Sequence, residues 1–212
     1  MVTAVTNSEP RRRNRRGEGG KLREEIIAAA VALLDEGGDA SSVTLRAVAR
    51  KAGIAAPSIY AHFADQPSIM LAVVRRELDA LAVVLREADE AAGSDARERL
   101  FAVCNAYLDF ARAHPQRYRI MFGGVWTATA EDTSITDADL LSLGDSAFTL
   151  LADVLGACVE QGTAYPSDDL YGDAVALWLG LHGLAHQRAV VRTMPGPADV
   201  GDRLIRALAH LK

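Results

Sequence analysis

Three side chains that can make directional polar contacts stand at alternate positions in one short segment: Ser58, Tyr60 and His62. If the segment is helical, Ile59 and Phe63 share one face and point inward, which leaves the polar side chains outside. A hydroxyl, a phenol and an imidazole can all donate hydrogen bonds to phosphate oxygens or to base edges. A purely structural role is the weaker interpretation, because an aromatic side chain and a histidine on the surface do not pack in the hydrophobic core.

A second short helix must position this one. Its apolar residues follow the spacing i, i+3, i+4, i+7 of a single helical face, at Leu45, Val48, Ala49 and Ala52. Thr44 can cap its first N–H groups, and Gly53 can end it in a left-handed turn without steric penalty. Two short helices joined by a tight glycine turn predict a helix-turn-helix over residues 44–63, whose second helix can enter a DNA major groove.

Other residues of this segment complete the candidate contact set. Thr44 can donate to a phosphate at a helix N-terminus, where the helix dipole also favours an anion, and this role is compatible with capping. Arg46 can reach a guanine or a phosphate, and Pro57 and Ala61 suit thymine methyl groups. Because the second helix has few polar side chains that could contact base edges, we expect DNA shape to supply much of the sequence preference.

The segment closely resembles the DNA-binding domain of the TetR family of bacterial transcriptional regulators. The likeness spans about residues 20–77 and is carried by Thr44, Leu45, Val48, Ala49, Ala52, Gly53, Ile54, Ser58, Ile59, Tyr60, His62 and Phe63. It implies that Tyr60 and His62 contact the DNA backbone. Gln66 stands where the family usually has a phosphate-binding lysine, so a charge contact is lost although an amide can still donate. Ala55 replaces a common serine cap, a loss of about 1 kcal/mol.

A basic arm precedes the helix-turn-helix. Residues 1–19 are polar and aperiodic and should be disordered in isolation, and they contain Arg11, Arg12, Arg13, Arg15 and Arg16. Residues 1–63 hold ten Lys/Arg against seven Asp/Glu, net +3, whereas residues 64–212 hold thirteen against twenty-one, net −8. The arm is predicted to follow a DNA groove or its phosphates, and a solubilising tail is the alternative.

The composition favours an all-α fold, because half the residues are hydrophobic and β-branched alternation is scarce. Besides the two short helices we predict helices at 21–36, 65–92, 95–113, 116–122, 138–161, 168–192 and 199–211, which makes about nine. The domains would be a disordered arm (1–19), a three-helix DNA-binding head (20–80) and a helical effector-binding and dimerisation body (81–212). A long helix would join head and body.

The helix at 168–192 carries the only further motif. Trp178, His182 and Gly183 form a Trp-x-x-x-His-Gly pattern that resembles the C-terminal domain of a TetR subgroup named WHG after those letters. Gly180 and Gly183 suggest a close backbone approach, either within one chain or from a partner. The resemblance implies a homodimer through the helices at 168–192 and 199–211, which pair with their symmetry mates as a four-helix bundle and present two heads to one DNA duplex.

Aromatic and soft side chains gather along the body helices. Singly, each of them is more often plain core, but together they predict a mostly apolar effector cavity. The candidate ligand-binding residues are Phe101, Tyr107, Phe110, Met121, Phe122, Trp126, Trp178 and His182, with Tyr118 beside them. Binding there would tilt the linking helix, spread the two heads and weaken DNA affinity.

The residues give no indication of catalysis or of a cofactor. His182 and His186 have a spacing that can bind zinc, but no glutamate follows the first and no third ligand is evident. Cys104 and Cys158 lie in apolar helical patterns and are expected to be core thiols. Neither a signal peptide nor an apolar run long enough for a membrane span occurs, so a cytoplasmic protein without metal or cofactor is predicted.

Three functional classes follow. The favoured one is a dimeric, sequence-specific DNA-binding regulator. It would be a repressor, as is usual in the family that it resembles, and a small and mostly apolar ligand would release it from a palindromic operator. The second is an architectural DNA-binding protein without effector control, which a filled body core would support. The third is a helical enzyme fused to a helix-turn-helix, which would need a catalytic constellation in the body.

Overall fold

The computed structural model describes residues 19–37, 40–124, 134–188 and 196–212, and within them the protein is all-helical, as predicted. The described part contains ten α-helices and one short 3-10 turn, Ala40–Ser42. The α-helices are α1 Gly19–Gly37, α2 Leu45–Lys51, α3 Ala56–Ile59, α4 Gln66–Ala91, α5 Ala96–Ala113, α6 Pro115–Phe122, α7 Asp137–Leu141, α8 Asp145–Glu160, α9 Leu170–His186 and α10 Val200–Leu208. The chain divides into two compact units, and the first ends at Val73 while the second begins at Val74.

The first unit is a small three-helix core. Helix α1 buries one apolar stripe that includes Ile26 and Ala30, and α2 packs its buried Val48 in the same core. Ile59 of α3 and Phe63 just after it are also buried, at 0% and 3% exposure. The predicted core of the head is therefore confirmed, and burial of these side chains holds the two short helices that could not be stable alone.

Helix α4 begins at a reciprocal cap. The backbone N–H of Ser68 donates to Asp65 Oδ1 at 2.9 Å, and the Asp65 N–H donates to Ser68 Oγ at 3.3 Å. This arrangement satisfies donors that a helix start leaves without intrahelical partners. The helix then continues for 26 residues and crosses the boundary between the units.

The second unit is organised around α5, which packs against α8 and α9, while α10 packs on α9 and α5. Its core contains fully buried leucines on three helices, Leu100, Leu151 and Leu177. Asp89 and Arg99 join α4 to α5 through two hydrogen bonds of 2.7 and 2.8 Å. Pro115 separates α5 from α6, because the residue before a proline is driven out of the helical region.

The single helix predicted at 138–161 is wrong. The chain breaks between α7 and α8, where Gly144 adopts a left-handed conformation with φ +81°. A glycine reaches this region without the strain that a side chain would bring, so the position can end one helix and begin the next. This break is the reason why the described residues contain ten helices rather than about nine.

Two further boundaries differ from the prediction. Helix α9, Leu170–His186, begins two residues later than predicted, and residues 189–192 of the predicted range lie outside the described residues. Helix α10 is shorter at both ends than 199–211. The arginine arm and Trp126 lie outside the described residues. Within the described ranges, no helix combines the length and the apolar character that crossing a bilayer requires.

Candidate nucleic-acid interface and ligand cavity

The helix-turn-helix forms at the predicted residues and for the predicted reasons. Thr44 Oγ1 accepts a hydrogen bond from the Ala47 N–H at 3.1 Å and caps α2. Gly53, at φ +67°, makes the left-handed turn, and α3 begins after Ala55 without any side-chain cap. Helix α3 is a single turn that continues as a tighter turn, in which the His62 N–H donates to the Ile59 carbonyl at 2.9 Å.

This geometry separates the buried from the available side chains. Tyr60 is 61% exposed, Ser58 is exposed, and His62 is half-buried. Pro57 and Ala61 are also exposed, whereas Ile59 between them is fully buried. The structure therefore brings a hydroxyl, a phenol and two small apolar groups to the outer side of α3 and its following turn.

The remaining candidate residues are less uniform. Thr44 and Arg46 are exposed at the start of α2. Gln66 is half-buried, and its side-chain Nε2 donates to the Ala40 carbonyl at 2.7 Å, so that part of its amide serves the fold. Arg50 is an exposed basic residue that the sequence reasoning passed over. Its position one helical turn after Arg46 was the available signal.

The body contains an apolar cavity of about 350 Å³, a size within the usual range of small-molecule sites. Its walls come from α4, α6, the α7–α8 turn, α8 and α9. The lining residues are Val74, Leu78, Met121, Phe122, Leu143, Gly144, Asp145, Phe148, Tyr171, Val175 and Trp178.

Only part of the predicted ligand set lines this cavity. Met121, Phe122 and Trp178 are in its wall. Phe110 is a core residue, and its ring centre lies 4.9 Å from the ring centre of His114. The Arg206 guanidinium carbon lies 5.1 Å from the ring centre of Phe101. The sequence reasoning missed Phe148, the one aromatic residue of α8, and Tyr171, which lies two turns before Trp178 in α9. It also missed the residues of the α7–α8 turn, because that turn was predicted to be helical.

Tyr107 and His182 lie behind the wall, in an aromatic cluster. The Tyr107 hydroxyl and His182 Nδ1 share a hydrogen bond of 2.8 Å, and the Tyr118 hydroxyl donates to the His182 carbonyl at 3.2 Å. The Phe122 ring stands edge-on to the imidazole, and the two ring centres are 4.1 Å apart. Burial, with a smaller contribution from His186, lowers the pKa of His182 to about 4, so the imidazole is neutral at physiological pH.

A smaller pocket of about 230 Å³ adjoins the cavity, and we call it the polar pocket because charged and hydroxyl side chains form much of its lining. The two share Leu78, Leu143, Gly144 and Asp145, and the polar pocket adds Arg75, Asp79, Ser142, Ser146 and Ala147. The Arg75 guanidinium lies 3.4 Å from Asp139 Oδ1 and 3.3 Å from Ser142 Oγ. The charged residues of the polar pocket, Arg75, Asp79 and Asp145, therefore form a rim beside the apolar cavity.

Neither sulfur nor imidazole groups assemble a second centre in the described part of the chain. Cys104 and Cys158 are buried free thiols, as predicted, and burial raises the pKa of both. No group of three His, Cys, Asp or Glu side chains among the described residues is placed to hold a metal ion.

The chain matches known regulators over most of its length. Residues 26–73 match the family model described as bacterial regulatory proteins, tetR family, and residues 100–211 match a tetracyclin repressor-like C-terminal domain. The chain is 33% identical over 197 residues to Rv0681, an uncharacterized HTH-type transcriptional regulator of Mycobacterium tuberculosis, with 90% of this chain and 81% of that protein covered.

Two further comparisons agree with these matches. The chain is 27% identical over 162 residues to the HTH-type transcriptional activator FasR of Mycolicibacterium smegmatis, with 71% of this chain and 73% of that protein covered. A solved structure of a protein with unknown function from Rhodococcus sp. RHA1 has a TM-score of 0.70 and 25% identity, with 92% of this chain and 95% of that one covered. The chain belongs to the TetR family of bacterial transcriptional regulators and is a DNA-binding regulator.

Proposed function

We propose that the protein is a homodimeric repressor that binds a palindromic operator and is released from it by a small, mostly apolar ligand. The observation that carries the proposal is the outer side of α3, where Ser58 and Tyr60 are exposed while Ile59 between them is buried. Side chains held in this way by a packed core can reach phosphates and base edges together. Activation is the alternative that one relative favours, since FasR is named a transcriptional activator.

Surface exposure on α9 supports the dimer. Leu179 is 62% exposed, and it shares a face with the exposed Ala176, Gly183 and His186. Gly180 and Gly183 of this helix differ: a side chain at Gly180 would collide with Leu208 and approach Leu204 within 3.3 Å, whereas nothing lies within 4 Å of a side chain at Gly183. Gly180 therefore serves the packing of α9 on α10, and Gly183 leaves room for a second copy.

Replacing Leu179 by glutamate should convert the dimer to a monomer, because a charge would enter the centre of an apolar helix pairing. Sedimentation velocity measures the change, and circular dichroism should show unchanged helicity. Leu141→Glu is the matched control, since Leu141 is 78% exposed on another helix. A Leu179→Glu protein that remains dimeric would remove α9 from the proposed interface.

The contacts of α4 suggest how a ligand could act on the heads. Val74 and Leu78 of α4 line the cavity, so a bound molecule would touch this helix directly. Arg117 of α6 lies 3.4 Å from Glu77, and Arg75 bonds to α7 through Asp139. A ligand that shifts α6 or the α7–α8 turn would change these contacts and favour one position of α4 over another.

The proposal is tested by incubating the purified protein with fragmented genomic DNA of its source and sequencing the retained fragments. We expect a shared inverted repeat, because two identical heads read two half-sites. Small apolar compounds can then be screened for release of that fragment. Retention of fragments without any shared sequence would favour the architectural alternative, and a shared repeat that no compound affects would remove the ligand from the proposal.

Deleting residues 1–16 should weaken operator binding and flatten its dependence on salt. Each phosphate contact releases counterions, so loss of the five arginines should reduce the slope of log affinity against log salt by about 1 for each contact removed. Titrations at several salt concentrations measure this slope. If the slope does not change, the arm does not follow the DNA and acts as a solubilising tail.

A further inference from the structure

We propose that the ligand of the apolar cavity carries a positive charge on an apolar body, and that Asp145 selects for this charge. The inference rests on the proposed function, since it defines the chemical class of that ligand. It depends on two features of the cavity that composition alone does not reveal. These features are an unbroken series of aromatic rings along the wall and a rim whose unpaired charges are carboxylates.

Four aromatic rings follow one another along the cavity wall. The Tyr171 and Phe148 ring centres are 5.6 Å apart, Phe148 and Trp178 are 6.3 Å apart, and Trp178 and Phe122 are 6.4 Å apart. Successive rings meet edge to face, with interplanar angles of 71°, 88° and 78°. Aromatic faces attract cations, most strongly tryptophan, and aromatic linings of this kind bind substituted ammonium groups.

The rim carries more carboxylates than basic groups. Asp145 lines both the cavity and the polar pocket beside it, and Asp79 lines the polar pocket. Arg75 is the basic residue of that pocket, and its guanidinium pairs with Asp139 at 3.4 Å. Within the described ranges no basic side chain pairs with Asp79 or Asp145. A cationic ligand would find an unused carboxylate beside the aromatic wall, and an anionic ligand would meet repulsion.

Asp145 also lies at a helix N-terminus. It is the first residue of α8, and the preceding Gly144 provides no side-chain cap. A carboxylate in the first turn of a helix is favoured by the positive end of the helix dipole. Asp145 lies at this end of α8 and lines both the apolar cavity and the polar pocket.

Three compounds with the same apolar body test the inference: phenylhexylamine, phenylhexanol and phenylhexanoate. Their affinities for the full-length protein can be measured by isothermal titration calorimetry at neutral pH. We expect the ammonium to bind about tenfold more tightly than the alcohol, as one exposed ion pair and one cation–π contact would give, and the carboxylate to bind most weakly. Added salt should reduce the preference, because the rim is exposed to solvent.

Asp145→Asn supplies the decisive comparison. The variant keeps the shape of the rim, so the alcohol should bind as before while the ammonium loses most of its advantage, about fivefold. Asp153→Asn is the matched control, because Asp153 is an exposed aspartate on the same helix that does not line the cavity. Asp153→Asn should leave all three affinities unchanged.

Several outcomes would overturn the inference. Equal affinity for the ammonium and the alcohol, a preference for the carboxylate, or no binding by any probe would each do so, as would an undiminished preference in Asp145→Asn. None of these results bears on whether the protein selects an inverted repeat from genomic DNA. Failure of the charge assignment is therefore distinguishable from failure of the proposed function.

Discussion

Replacing Ser58, Tyr60 and His62 together by alanine is expected to weaken operator binding by on the order of a hundredfold or more, with the fold retained. Loss of a polar contact to DNA typically weakens binding by about 1–3 kcal/mol, and each substitution acts once in each head of the proposed dimer. The structure supports retention of the fold, because the buried core of this segment lies at Ile59 and Phe63, which the variant keeps. Fluorescence anisotropy with the selected DNA fragment measures the loss, and thermal unfolding checks the fold.

The matched control removes the same three kinds of side chain from the surface of the second unit, as Ser94→Ala, Tyr165→Ala and His114→Ala. All three residues are exposed, and Tyr165 at 59% resembles Tyr60 at 61%. The control protein should bind DNA like the wild type. If the α3 variant is folded and binds within a few-fold of the wild type, the DNA contacts must come from another surface.

Acidification should destabilise the protein through His182. The folded state holds the pKa of this imidazole at about 4, chiefly by burial, whereas an unfolded histidine titrates near 6.5. Below about pH 6.5 the unfolded chain takes up the proton first, so this contribution to stability is complete above that pH and is lost as the pH falls towards 4. Allowing for partial solvent access, the loss is about 2 kcal/mol in the free energy of unfolding.

The comparison with His182→Gln isolates this contribution, because acidic residues titrate in the same range. Glutamine can still accept the hydrogen bond of Tyr107 but takes up no proton, so its unfolding free energy should fall by about 2 kcal/mol less than that of the wild type between pH 7 and pH 4. Urea unfolding at each pH provides the values. His114→Gln, an exposed control, should follow the wild type. Parallel curves for His182→Gln and the wild type would show that the imidazole does not stay neutral in the folded protein.

Local signals were sufficient for the head of the protein. The cap at Thr44, the turn at Gly53 and the apolar spacing of Val48, Ile59 and Phe63 depend on residues a few positions apart, and all are present in the structure. Such features are encoded by near neighbours, because helix caps, glycine turns and one-face patterns need no distant partner to be recognised. The DNA contacts proposed for α3 follow from them directly.

The cavity was decided by tertiary structure. Gly144 could have continued a helix at modest cost, and its left-handed turn, which forms part of the wall, depends on how α7 and α8 pack. Phe101 and Phe110 have the same residue type as Phe122, yet only Phe122 reaches the cavity. Residue type and helical spacing determined that these side chains would be buried. Which of them face a cavity and which face plain core depends on contacts between helices far apart in sequence, and those contacts exist only in the folded body.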